Sequence, residues 1–381
     1  MSPPPPTTKH EVKYVNRITF PNPNLFCEGY SSPTNNILLL ALNSKTKTEN
    51  SQGLYKYYID SNLFVLLFSY KPDEICFNAI AINDDEYILN FVKTNELRIY
   101  KHKKIIKQLY LEGLPNNICM NNNDKLVYIA IMRTFPATSG CVCELNLSNY
   151  KLRYLIGETF CGYTTSYNDK ISLSMPTGIA TLNGYVYVAT LINIIRFNIS
   201  DPTDAVIIMK SSDFPEYYPF FDNITTYKDT LYVAIFDYGK YVNAFINFAL
   251  TNNTLLNIYY IVGYLTNATF AGDTEPDLSH MIPDTCIQYV KINASTNIVK
   301  YKILDTSIQD FDKMVTQIGR IGHDMYCMVN YKADIMILMS RVGSRRSHPS
   351  SPVSAAAGQI LAPKKQKNTK KTLIKSKLNR N

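Results

Sequence analysis

The chain has 381 residues, 46% hydrophobic and 12% aromatic, with 29 Tyr, 17 Phe and no Trp; it can bury a large core in one big domain or two ordinary ones. No window reaches the ~18 apolar residues of a membrane span, and the start, MSPPPPTTKHEVK, lacks the apolar centre of a secretory signal. The net charge of +8 belongs to one end: residues 341–381 carry 11 Lys or Arg and no acid, leaving 28 bases against 31 acids in residues 1–340.

Read in chain order, residues 1–12 form a Pro-rich leader expected to be disordered. Short apolar runs rich in Val, Ile and Tyr then follow one another, a strand-like bias. The first unit is NNILLLALNS with GLYKYYIDSNLFVLLFSY. After it come FNAIAINDDEYILNF from Phe77, PNNICMNNNDKLVYIAI from Pro115, PTGIATLNGYVYVAT from Pro176, FDNITTYKDTLYVAI from Phe221 and VTQIGRIGHDMYCMV from Val315. Each is an apolar strand led by small or amide residues, a polar turn and a stronger apolar strand; two further strands usually follow. Ile80, Ile118, Ile179 and Ile224 align across these units. Four-stranded units recurring every 40-odd residues predict an all-β, six-bladed β-propeller over residues 13–340. The last unit has only three strands, ending at DIMILMS, so the N-terminal EVKYVNRITF is expected to supply the fourth and close the ring, which removes exposed edges. Residues 160–174 and roughly 238–285 break the period and read as insertions. A sandwich would show similar turn spacing, but not the forty-residue recurrence.

Residues 341–381 have no aromatic residue and much Ser, Pro and Lys. They read as a disordered basic tail that would bind an acidic partner weakly and without sequence specificity, act as a nuclear address, or simply be solvated. The eight cysteines show no CxxC pair and no zinc spacing, so buried, reduced thiols are expected; Cys141 and Cys143 should share one face of a strand. Six Asn-x-Ser/Thr sequons are inert in a chain expected to be cytoplasmic or otherwise non-secreted.

In a propeller the first strand of each blade lines the axis, so side chains at its mouth converge. Those positions read Asn78-Ala79, Asn116-Asn117, Thr177-Gly178, Asp222-Asn223 and Thr316-Gln317, with Glu28 of FCEGYSS at the same level. Calcium takes 6–8 oxygen ligands, and carboxylates and amide carbonyls both serve. The same residues would equally satisfy turn backbone or hold water.

The stretches EGYSS, LPNNICM, MPTGIATLNGYVYVA, YYPFFDNITTYKDTLYVAI and MVTQIGRIGHDMYCMV resemble, in order and spacing over about residues 15–340, the superfamily of six-bladed propellers that holds strictosidine synthase-like proteins, paraoxonase-type arylesterases and regucalcin-type gluconolactonases. The strictosidine synthase-like branch is the nearest in pattern. The resemblance implies an axial calcium held by Glu28, Asn116, Thr177, Asp222 and Asn223, with Asn78 and Asn117 beside the substrate. Thr177 replaces an Asn of the family pattern and Asn117 an Asp, which weakens the cation site. Asn78 stands where the arylesterases carry a proposed His base, and an amide accepts no proton near neutral pH. Arg320 matches the Glu of the true synthases and is a permanent cation, so true strictosidine synthase activity is not expected. His280, within an insertion, is the one candidate base; His10, His102, His323 and His348 fall in mobile or solvated segments. No GxSxG and no phosphate-binding glycine loop occurs. The resemblance thus implies a calcium-dependent hydrolase of an ester or lactone, with a non-catalytic binding propeller as the alternative and tail-driven nucleic-acid association as a third.

Overall fold

A computed structural model describes residues 12–46, 51–121, 125–132, 140–157, 173, 175–190, 192–213, 219–237, 288–293, 299–303, 315–321, 325–330 and 335–341. The leader before Val12, the expected insertions apart from Leu173, the basic tail after Arg341, His280 and every other histidine except His102 lie outside them. The chain divides into two compact units, 1–344 and 345–381, and all the described strands belong to the first.

The described residues form antiparallel strands and two short 3-10 turns, with no α-helix. Strand β1 (Val12–Thr19) precedes a first sheet built from β2 (Leu25–Phe26), β3 (Tyr30–Thr34), β4 (Ile37–Ser44), β5 (Gly53–Tyr58) and β6 (Leu63–Ser69). The second sheet is β7 (Cys76–Ala81), β8 (Glu86–Phe91), β9 (Glu96–Lys101) and β10 (Lys104–Tyr110). The third is β11 (Leu114–Asn121), β12 (Leu126–Met132), β13 (Gly140–Asn146) and β14 (Lys151–Gly157). A fourth holds β15 (Pro176–Leu182), β16 (Tyr185–Thr190), β17 (Asn193–Asn198) and β18 (Val206–Lys210), and a fifth holds β19 (Pro219–Tyr227), β20 (Thr230–Asp237), β21 (Gln288–Asn293) and β22 (Val299–Ile303). The sixth joins β23 (Val315–Arg320), β24 (Met325–Asn330) and β25 (Ile335–Arg341) to β1, in the order β1-β25-β24-β23. Strand β1 runs antiparallel to β25, from Val12 opposite Arg341 to Thr19 opposite Ile335, so strands from the two ends of the chain share a sheet.

The second strands are continuously apolar rather than alternating. In β4, β12 and β16 the residues after the first are buried almost without a break. The reason is that both faces of each sheet are covered by neighbouring sheets. Ile80, Ile88 and Ile99 of the second sheet pack with Ile118, Val127 and Ile129 of the third. Tyr128 and Val142 of the third pack with Ile179 and Val188 of the fourth, and Ala180 and Tyr187 of the fourth with Phe221 and Val233 of the fifth. Leu38 and Tyr57 of the first sheet pack with Cys327 and Leu338 of the sixth. The core is therefore a set of layers between sheets, which makes the fold an all-β propeller.

Two differences from the expected four-strand unit arise at the inner strands. The first sheet has five strands because its inner strand is interrupted: β2 and β3 both pair with β4, and Cys27-Glu28-Gly29 lies between them. Each of the other five inner strands carries a β-bulge near its start. The pairing shifts between Cys76 and Asn78, Pro115 and Asn117, Pro176 and Gly178, Phe221 and Ile224, and Val315 and Gln317. A bulge inserts an unpaired residue, bends the strand and re-aims a side chain. Cys141 and Cys143 sit on one face of β13, in the same apolar cluster. Cys27, Cys76, Cys119, Cys141, Cys143 and Cys327 are all free thiols.

Candidate functional site: a buried polar belt at the inner-strand bulges

The interruption and the bulges together place a polar side chain from each inner strand into the interior. Glu28, Asn78, Asn117, Thr177, Asn223 and Gln317 are all buried. Burying so much hydrogen-bonding capacity is unfavourable unless it is matched, and here one pair of belt members bonds to each other while others bond to backbone groups. Asn78 Nδ2 donates to Asn117 Oδ1 at 3.1 Å, tying the second sheet to the third. Thr177 Oγ1 donates towards the carbonyls of Phe221 (3.0 Å) and Ala189 (3.3 Å), tying the fourth sheet to the fifth. Gln317 grips both backbone groups of Tyr30: Tyr30 N donates to its Oε1 at 2.8 Å, and its Nε2 donates to Tyr30 O at 2.8 Å. This amide pair joins the sixth sheet to the first.

Glycine lets the backbones approach at two of these junctions. A Cβ on Gly178 would stand 2.7 Å from Asn223 Cα and 2.6 Å from Ile224 N, so the bulge of β19 seats directly on β15. A Cβ on Gly29 would stand 2.7 Å from Gln317 Oε1, 3.4 Å from Phe77 O and 3.6 Å from Asn223 Nδ2. Glu28, Gln317 and Asn223 are thus neighbours through Gly29.

Two residues that sequence reasoning did not single out hold the belt from behind. Asn90, at the end of β8, accepts from Asn78 N (2.6 Å) and donates to the carbonyls of Pro115 (2.8 Å) and Asn116 (3.0 Å). Asn43, at the end of β4, does the same for β7, accepting from Cys76 N (2.8 Å) and donating to Cys76 O (2.7 Å). Both follow a Leu in their strands (Leu42-Asn43 and Leu89-Asn90), a recurrence visible in the sequence.

One corner of the belt is unmatched. Asn223 Oδ1 is buried and has no hydrogen-bond partner among the described residues; an orphaned buried acceptor costs about 1–3 kcal/mol. Beside it in the chain, Asp222 is held well above the usual carboxylate range, first by burial and then by the charge of Glu28, against a lowering bond from Asn223 N. Two carboxyls that repel each other beside an unsatisfied carbonyl oxygen form the donor set a hard cation seeks. On that ground Glu28, Asp222 and Asn223 fit the ion implied by the resemblance. Asn116 is half-buried and its Nδ2 donates to Met132 Sδ at 3.2 Å, a bond that does not engage its Oδ1, and the Thr177 hydroxyl donates to carbonyls of two sheets. Among the described residues no group of three or more His, Cys, Asp or Glu clusters as a metal site; the donor set here is amide as much as acid.

Arg320 ends β23 with its guanidinium 4.7 Å over the Tyr227 ring. His102 is exposed in the turn between β9 and β10, 3.7 Å from Asp85 Oδ2. His280 lies outside the described residues.

The sequence matches no family model and no curated protein. In fold the chain is similar to a structural-genomics protein of unknown function from Bacteroides thetaiotaomicron, with TM-score 0.51 at 10% identity over 84% of this chain and 70% of that one. It is also similar to virginiamycin B lyase from Staphylococcus aureus, with TM-score 0.48 at 13% identity over 86% of this chain and 99% of that one. At 10% identity the likeness to the Bacteroides protein is one of fold alone.

Proposed function

We propose that the chain is a six-bladed β-propeller, closed by β1 on β25 and by Gln317 on Tyr30, whose axial mouth binds calcium through Glu28, Asp222 and Asn223 and uses it to hold an oxygen-bearing small ligand. The observation that carries this is the orphaned Asn223 Oδ1 beside two mutually repelling carboxyls. A cation would satisfy the carbonyl and remove the repulsion at once. When bound, calcium supplies Lewis-acid polarisation of a ligand carbonyl. Glu28 and Asp222 would balance its charge, Asn223 would orient it, and Asn78 and Asn117, locked to each other, would form a neutral wall beside it.

Binding is favoured over hydrolysis by the Asn78–Asn117 pair. The position that carries a proposed base in the arylesterases is here an amide already committed to another amide. The hydrolase reading, an ester or lactone cleaved at the same cation, rests on the sequence resemblance and needs a base from elsewhere. The basic tail of residues 341–381 would then serve as a tether to an acidic partner.

The test is thermal unfolding with and without calcium, beside a panel of phenyl acetate and lactones. Calcium at a hundredfold excess over Kd should stabilise the fold by about 2.7 kcal/mol without turnover. Turnover that is lost in Asp222→Ala would restore the hydrolase reading, and an absent calcium shift would remove both.

A further inference from the structure

Eight large apolar side chains are exposed among the described residues, and six of them lie on two strands of neighbouring sheets. Leu63, Val65 and Leu66 are on β6; Ile105, Ile106 and Tyr110 are on β10, with Tyr110 70% exposed. The two sheets pack directly, since Phe68 of β6 stacks on Tyr100 of β9 at 4.4 Å. Among the described strands each of these is the outer edge of its sheet, where unpaired backbone invites another strand and a charged side chain normally discourages it. Lys151 on β14 and Lys210 on β18 obey that rule, and β10 itself carries Lys104 and Lys107. The strand β6 reads LFVLLFS and carries no charge.

From this we infer that the rim made by β6 and β10 is a docking surface for a second copy of this chain, centred on the free edge of β6. Three observations select that occupant. Residues Leu63–Leu66 pair regularly with β5, and the register slips only beyond them, between Leu66 and Phe68. An antiparallel second copy over that regular stretch sets Leu63 opposite Leu66 and Phe64 opposite Val65, apolar against apolar at every position. The flanking charges are also of mixed sign. The basic turn Lys101–Lys104 lies against the acidic turn Asp84–Glu86: His102 N donates to Asp85 O at 3.0 Å, and Lys101 Nζ is 3.7 Å from Glu86 Oε2. A rim that neutralises itself suits a copy of itself, whereas an anionic lipid surface or nucleic acid selects an unopposed cationic patch. This inference stands on the outer rim and does not depend on the calcium reading.

The experiment is sedimentation velocity of the full chain over a concentration series, with Leu66→Lys, Ile106→Lys and, as a control off the rim, Ile192→Lys. All three positions are exposed, so thermal unfolding should stay near wild type and will show that each variant folds. The wild type and Ile192→Lys should sediment at twice the chain mass, and Leu66→Lys and Ile106→Lys at the chain mass. A wild type that stays monomeric at every soluble concentration overturns the inference, as does a dimer indifferent to both rim substitutions. A monomer that instead co-sediments with phosphatidylserine vesicles, and loses this in Leu66→Lys, assigns the rim to lipid and overturns it too.

Discussion

Replacing Gln317 by Ala tests what joins the sixth sheet to the first. The side chain is 3% exposed and makes two 2.8 Å bonds to Tyr30, one to each backbone group. Truncation leaves a buried N–H and a buried C=O without partners, and each costs about 1–3 kcal/mol, so the expected loss is about 2–6 kcal/mol from a total on the order of 5–15 kcal/mol. Gln317→Glu separates bonding from volume: it fills the same space and still accepts from Tyr30 N, but sets a carboxylate oxygen against Tyr30 O. It should cost at least as much as a single lost bond. The assay is urea unfolding in a chelator, so that no cation contributes, with the m-value unchanged from wild type. A loss under about 1 kcal/mol in both variants would refute the reasoning, because a belt that holds the sheets together cannot lose its bidentate amide at so little cost.

Asp222→Asn should act in opposite directions with and without calcium. The folded chain holds the Asp222 proton more tightly than the unfolded chain, so in chelator stability is fullest below the unfolded value of about 3.9 and falls as pH rises towards the folded value. The variant should remove that slope and be the more stable protein at pH 7 in chelator, while losing the calcium-induced gain; a wild type whose stability rises through the same window would contradict this. Asn90→Asp should cost about 2–4 kcal/mol in thermal or urea unfolding, since it loses the donors to Pro115 O and Asn116 O; near-neutral stability would mean those bonds do not hold β11. Burial pushes the thiols of Cys27, Cys76, Cys119 and Cys143 up, so an aromatic disulfide reagent at pH 8 should leave them unmodified until urea is added. Rapid labelling of the folded protein at these four positions would contradict their placement.

Much of the architecture was legible because it is written in local pattern. The forty-residue recurrence marks the repeating sheets, and the orphan three-strand unit at the C-terminal end required EVKYVNRITF as its partner, which β1 on β25 supplies. The Cys141-x-Cys143 alternation follows from strand geometry alone. The polar mouths were legible as a set, since amides and acids are uncommon openings for an apolar strand. The bulges were not, because a register slip is a property of two paired strands and leaves no mark on either one. Nor does the repeat show that Thr177 Oγ1 and Asn116 Nδ2, at positions equivalent to Asp222, bond Phe221 O and Met132 Sδ. The second-strand Asn43 and Asn90 were hidden by their setting in runs that read only as core, although the Leu-Asn doublet was there to be noticed.

The central claim, that distant strands gather Glu28, Asp222 and Asn223 around one cation, is tested most directly by calorimetric titration of calcium into wild type, Asp222→Asn and Asn223→Ala. The account predicts a single site in the wild type, weakened at least about tenfold, or ~1.4 kcal/mol, by either substitution. A wild type that takes up no calcium, or one whose affinity survives both changes, would contradict it.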